Sequence, residues 1–173
     1  MEEETGDSAF VRLYSDGSGI KGNIGSVAVL YRRKNDIETK CTMRYCLGPK
    51  TKHTVYKGEI AGAIMAQELL HKQLSGFGCH VFMYVDNQAS ILATQMKARN
   101  PGHYLLDILH TKLTRNKRKF HNLGVTIWWI PSHLNIEGNK EVDRQAKRAA
   151  KGDADTPLTR LPREFRVKLP DSR

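Results

Sequence analysis

The chain has 173 residues, enough for one domain with a substantial core, and its 39% hydrophobic and 27% charged residues are ordinary for a soluble globular protein. No apolar run approaches the roughly 20 residues that a membrane-crossing helix needs, and the acidic start Met1-Glu2-Glu3-Glu4 lacks the basic-then-apolar order of a secretory leader. The net charge of +10 is carried by residues 87–173, which hold 17 Lys and Arg against 8 Asp and Glu, whereas residues 1–86 hold 11 against 10. A basic half fits a polyanionic partner, with a solvated surface as the ordinary alternative. Cys41, Cys46 and Cys79 are odd in number and lack Cys-x-x-Cys spacing. They read as idle thiols of a reducing, intracellular compartment, with nothing to separate nucleus from cytoplasm.

Residues 1–9 are small and acidic and are expected to be disordered. Apolar and polar residues alternate from Phe10 to Tyr14, the period of a half-buried strand, and Asp16-Gly17-Ser18-Gly19 is read as the turn that ends it. Asn23 to Arg33 and Glu38 to Leu47 are predicted as a second and third strand around the turn Lys34-Asn35-Asp36, which makes an antiparallel meander. A loop from Gly48 to Thr54 leads into a helix from about Val55 to Leu74, stopped by Ser75-Gly76-Phe77-Gly78. His80 to Val85 is a β-branched strand ending at Asp86. Gln88 to Met96 reads as a short helix, and Arg99-Asn100-Pro101-Gly102 as a break. His103 to about His121 carries the apolar stripe Tyr104, Leu105, Ile108, Leu109 and Leu113 of a longer helix. Val125 to Ile130 is the fifth strand, where the adjacent Trp128 and Trp129 face opposite sides, one ring expected in the core. A loop from Ser132 to Gly138 precedes a last helix from about Lys140 to Ala150. The order predicts an α/β architecture, a five-stranded mixed sheet of three antiparallel then two parallel strands, flanked by helices. The domain is expected over 10–152, with 153–173, where Pro157, Pro162 and Pro170 lie among basic residues, as a tail or linker.

Four carboxylates fall at comparable places. Asp16 and Asp86 are predicted at strand ends, Glu59 in the first turns of the first helix and Asp143 in the first turn of the last. Each alone has an ordinary explanation as a turn residue, a helix cap or an acid at a helix start, where the dipole favours the charged form. Gathered at one sheet edge they would repel one another, unless hard divalent cations sat between the oxygens. Two such ions, Mg²⁺ or Mn²⁺, support in-line displacement at phosphorus.

Through Tyr14-Ser15-Asp16-Gly17-Ser18, Gly58-Glu59-Ile60-Ala61-Gly62-Ala63, Val85-Asp86-Asn87, Trp129-Ile130-Pro131-Ser132-His133 and Gly138-Asn139-Lys140-Glu141-Val142-Asp143, the chain resembles type 1 ribonuclease H, including the domain that accompanies reverse transcriptases in retroelements. The resemblance covers about residues 10–152. It implies a nuclease that cuts the RNA strand of RNA–DNA hybrids with two Mg²⁺ ions, Mn²⁺ being a possible substitute, leaving 3′-hydroxyl and 5′-phosphate ends. Asp16 would bridge both ions, Glu59 and Asp86 would hold the one near the attacking water, and Asp143 the other. His133, in the loop that Gly138 and Asn139 are expected to leave mobile, would shuttle a proton or aid product departure, whereas an exposed loop histidine without a role is the plain reading.

The sequence departs from the family where substrate is read. Val55 and Tyr56 stand where the family often has Asn-Gln, so the 2′-hydroxyl contacts of hybrid selection would rest on Tyr56 and on backbone around Gly17, Ser18 and Asn87. Lys52 and Thr54 match a site for a DNA-strand phosphate. Ser132 replaces a usual glycine, and Lys140 a common glutamate. No separate hybrid-binding domain is seen; the basic helix end with Lys117, Arg118 and Lys119 is the best substitute, or else a solvated helix end. The expected protein is a monomer, free-standing or cut from a polyprotein with a reverse transcriptase. Two alternatives stand beside it. One is another nuclease of the superfamily, such as a transposase, integrase or resolvase. The other is a hybrid- or duplex-RNA-binding module without catalysis.

Overall fold

The computed structural model describes residues 10–74, 80–85, 103–120, 123–130 and 136–171. Five strands, β1 (Phe10–Ile20), β2 (Asn23–Lys34), β3 (Ile37–Pro49), β4 (His80–Val85) and β5 (Gly124–Trp129), form one sheet in the order β3-β2-β1-β4-β5. The β1–β2 and β2–β3 pairs are antiparallel, and β1–β4 and β4–β5 are parallel, as the meander and the later β-α order predicted. Both hairpins close with two-residue turns in left-handed backbone, Lys21-Gly22 (φ 50° and 79°) and Asn35-Asp36 (φ 49° and 59°), the geometry that matches strand twist. The predicted short helix over 88–96 lies outside the described residues.

Two helix layers explain why the central strands are apolar on both faces. From β2, Ile24, Ala28 and Leu30 join the core under helix α1 (Val55–Gln73), along with Val11 and Leu13 of β1. Val27 and Val29 point the other way and pack with Tyr14 against Val142 and Ala146 of helix α3 (Glu137–Ala150). Helix α2 (His103–Lys119) packs on α1 through Leu105, Leu106 and Leu109. Trp128 and Trp129, one of which was expected inside, are 54% and 43% exposed, because β5 is an edge strand of the sheet.

The largest departure from the sequence reading is the C-terminal segment. Residues 153–171 are no linker. Leu161, Phe165 and Leu169 are at most 3% exposed and complete the main core, with the Phe165 ring stacked on Tyr45 of β3 at 4.9 Å. Polar contacts tie the segment on: Lys57 Nζ donates to Pro170 O at 2.7 Å, Lys72 Nζ to Arg160 O at 2.7 Å, the Arg44 guanidinium pairs with Asp155, and the Arg44 amide donates to Thr156 Oγ1 at 2.8 Å. Prolines and charges suggested a tail; an apolar residue every fourth position pins it down.

A buried ion cluster joins α1, α2 and this segment. Lys112 pairs with Glu68 and with Glu164, both at 3.1 Å, and Arg115 with Glu68 at 3.0 Å. Burial of Glu68 opposes its ionisation, but hydrogen bonds and charge from Arg115 and Lys112 outweigh it and hold the carboxyl at about 2. A carboxylate depressed in the folded state stabilises the fold above its unfolded pKa of about 4.3, and that stability is lost as pH falls towards the folded value. The melting temperature is therefore expected to drop between about pH 5 and pH 2. Glu68→Gln, which leaves the buried Lys112 with Glu164 alone and Arg115 without this partner, should cost about 2 kcal/mol at pH 7 and flatten that acid limb. Thermal melts of both proteins across pH check this.

Candidate active site

The candidate site is built around the far end of β1. β1 is paired with β2 along its whole length, Phe10 to Ile20, and, among the described residues, with β4 (His80–Val85) from Val11 to Tyr14. Asp16 lies two residues past the last of these described β4 rungs, 6% exposed, and its Oδ1 accepts the Gly17 N–H at 2.8 Å. The strand does not end at Asp16 as predicted. Gly17 and Gly19 stay in the strand, and the turn comes at Lys21-Gly22.

What glycine supplies at position 17 is room rather than a turn. A Cβ there would fall on the Glu59 backbone nitrogen and 2.5 Å from the Gly58 carbonyl carbon. Ser26, the β2 partner of Gly17, donates from its hydroxyl to Gly58 O at 2.6 Å. One turn on, a Cβ at Gly62 would meet Val27 O at 2.9 Å and Asp16 O at 3.1 Å. Helix α1 thus lies almost on β1, with Glu59 alongside Asp16-Gly17.

Helix α3 is set on the opposite face in the same way. Its first turn rests on Tyr14, where a Cβ at Gly138 would come within 2.6 Å of the ring. Its last turn rests on Gly25, where a Cβ would be 2.8 Å from Ala149 C. Between these anchors Val142 packs with Val27, the β2 partner of Asp16. Asp143 follows Val142 on this helix. It is 52% exposed, and its Oδ2 takes a hydrogen bond from Lys147 at 2.6 Å.

The helix positions also differ from expectation. Glu59 is the fifth residue of α1, which has no acid in its first turn, and α3 starts at Glu137, so that Asp143 is in its second turn. Gly138 and Asn139, expected as mobile loop, are helical because the helix backs onto the Tyr14 ring. The dipole contribution expected for both acids is lost, since it fades beyond the first turn. Asp86, Asn87 and His133 lie outside the described residues. Among the described residues no three His, Cys, Asp or Glu side chains form a group able to hold a metal ion. The described residues thus do not gather Asp16, Glu59 and Asp143 into one such group, although carboxylate oxygens are the donor type that suits a hard cation.

The expected nucleic-acid contacts divide. Thr54 is the N-cap of α1, its Oγ1 accepting the Lys57 N–H at 3.2 Å; the exposed hydroxyl keeps its own proton to donate. Lys52 pairs with Asp171 at 3.1 Å, which raises its pKa. The Gly17 amide is turned to Asp16 and is not offered to a ligand. Ser18 is part-exposed beyond the last β1–β4 rung. Tyr56 packs against the core, and burial pushes its hydroxyl up. Lys117 and Arg118 are exposed on α2, where His110, Thr111, Thr114, Arg115 and Arg118 line an open cleft of about 510 Å³. Lys119 instead donates to His71 O at 2.7 Å and lies over the Phe120 ring. The sequence reading missed Lys57, 2% exposed over the Tyr104 ring and lowered in pKa by burial. It also missed the spacing role of Gly58 and Gly62, whose i, i+4 repeat was the available signal.

No curated protein matches the sequence. The RNase H family model matches residues 8–151. Among solved structures, the N-terminal RNase H domain of rv2228c from Mycobacterium tuberculosis is 18% identical over 85% of this chain and 97% of that one, with a TM-score of 0.57. RNase H1 of the archaeon Halobacterium salinarum is 17% identical over 82% and 98%, TM-score 0.54. The protease–reverse transcriptase of prototype foamy virus is 16% identical over 85% of this chain and 21% of that one, TM-score 0.58. At such identities the likeness is one of fold, and the family match covers most of the chain: this protein belongs to the RNase H family and has the fold of its type 1 members.

Proposed function

We propose that the protein is an endoribonuclease that cuts the RNA strand of RNA–DNA hybrids, leaving 3′-hydroxyl and 5′-phosphate ends. The observation that carries this reading is the buried Asp16, just past the last described β1–β4 rung, with α1 and α3 drawn in on glycine contacts to β1 and β2. Asp16, Glu59, Asp86 and Asp143 would hold two Mg²⁺ ions, or Mn²⁺. Such ions activate water for attack at phosphorus and neutralise charge on the leaving oxygen. Around them, the Thr54 hydroxyl and Lys52 ammonium would bind a phosphate of the DNA strand, and Tyr56 would offer its hydroxyl to the minor groove. His133 would carry a proton as product leaves. Support for a hybrid substrate comes from LC11-RNase H1, 19% identical, which was solved with an RNA/DNA hybrid bound. The foamy virus neighbour supports linkage to a reverse transcriptase.

The test is incubation with Mg²⁺ and labelled hybrid, duplex RNA, duplex DNA and single strands. Cleavage of hybrid RNA alone is expected. Cleavage of duplex DNA would favour a transposase- or resolvase-like nuclease, and binding without cleavage a non-catalytic module. Reversing Lys117 and Arg118 to Glu should weaken hybrid binding, by about tenfold at low salt, and lower the slope of log affinity against log salt by about 2. Adding Lys119→Gln to these two reversals should lower the slope by less than about 1 more, since the Lys119 ammonium is held at the His71 carbonyl rather than extended from the helix.

A further inference from the structure

Tyr14 stands where three elements meet. Its ring is stacked on Tyr84 of β4 (centroids 4.8 Å apart, planes at 18°) and meets Tyr31 of β2 edge-on (5.8 Å, 90°). On its third side it takes the space that a Cβ at Gly138 would need, and it is 3% exposed. We propose that Tyr14 is a positioning residue, the spacer that fixes the height of α3 above β1 and with it the separation of Asp143 from Asp16. The proposal rests on the reading of these carboxylates as a metal site.

The geometry carries it in three steps. Tyr14 and Asp16 are two apart on one strand and share a face. Gly138 and Asp143 are on one helix, about 7.5 Å apart along its axis, so a shift imposed at the first turn is passed on. Tyr31 and Tyr84 hem the ring in, so a larger residue at 138 would move the helix and not the ring. A simple core aromatic would add stability through its area; a spacer also sets the fit of ligands two and five residues away.

The discriminating readout is Mn²⁺ affinity without nucleic acid, from the rise in melting temperature on titration, set beside kcat and the Mg²⁺ concentration for half-maximal cleavage. Tyr14→Phe keeps the ring and should bind Mn²⁺ within about twofold of the parent. Tyr14→Leu and Gly138→Ala should each bind about tenfold more weakly while melting cooperatively. The double variant should recover at least about threefold over Gly138→Ala, because the smaller side chain leaves room for the methyl group. Parental Mn²⁺ affinity in folded Tyr14→Leu would overturn the proposal, as would a double variant no better than Gly138→Ala. If either single variant fails to fold, a cooperative melt regained in the double variant supports the spacer, and its absence overturns it. A parent protein that shows no Mn²⁺ response would sink the metal-site reading itself, and the proposal with it.

Discussion

Deleting residues 153–173 is expected to leave a chain with no cooperative thermal transition. The cut would strip the core of Leu161, Phe165 and Leu169, each worth about 2 kcal/mol of apolar burial. It would also unseat three buried cations. Lys57 would lose the Pro170 carbonyl, Lys112 the Glu164 carboxylate and Arg44 the Asp155 carboxylate. The sum is comparable to the whole stability of a typical domain, about 5–15 kcal/mol. A milder variant keeps the idea testable if the truncated chain aggregates. Phe165→Ala removes a ring that is 1% exposed, should cost about 4 kcal/mol and should lower the melting temperature by about 10 °C. A fragment 1–152 that melts like the full chain would return the segment to the status of a linker.

Asp16→Asn should abolish hybrid cleavage and leave the fold intact. The amide oxygen can still accept the Gly17 N–H, so the strand has no reason to move. What is removed is the charge on the most deeply buried of the three described carboxylates. Loss of one such preorganised charge should lower kcat by on the order of 10³-fold. In EDTA the variant should melt no lower than the parent, because neutralising one acid relieves repulsion among neighbours. Melting and single-turnover cleavage, measured on the same preparation, separate lost chemistry from lost folding.

Local chemistry made the strands, the α1 and α2 stripes and the mixed sheet legible. Asn35-Asp36 marked its hairpin because both residues tolerate left-handed backbone. Asp16-Gly17-Ser18-Gly19 misled for the opposite reason. Glycine signals both turns and close approach, and only the position of α1 tells them apart. The start of α3 was hidden in the same way, since Gly138 looks like a breaker until the Tyr14 ring is seen against it. The four carboxylates were nameable from their order along the chain. That Asp16 lies inside a strand, past the last described β1–β4 rung, was not revealed by alternation alone.

The central claim is that Asp16, Glu59, Asp86 and Asp143 surround one site for paired divalent ions. Anomalous scattering from crystals grown with Mn²⁺ tests it most directly. Two peaks roughly 3.5–4 Å apart, bordered by all four carboxylates and absent from Asp16→Asn crystals, are predicted. Peaks elsewhere on the molecule, or Asp143 still turned to Lys147 in a protein that cuts hybrid, would contradict it.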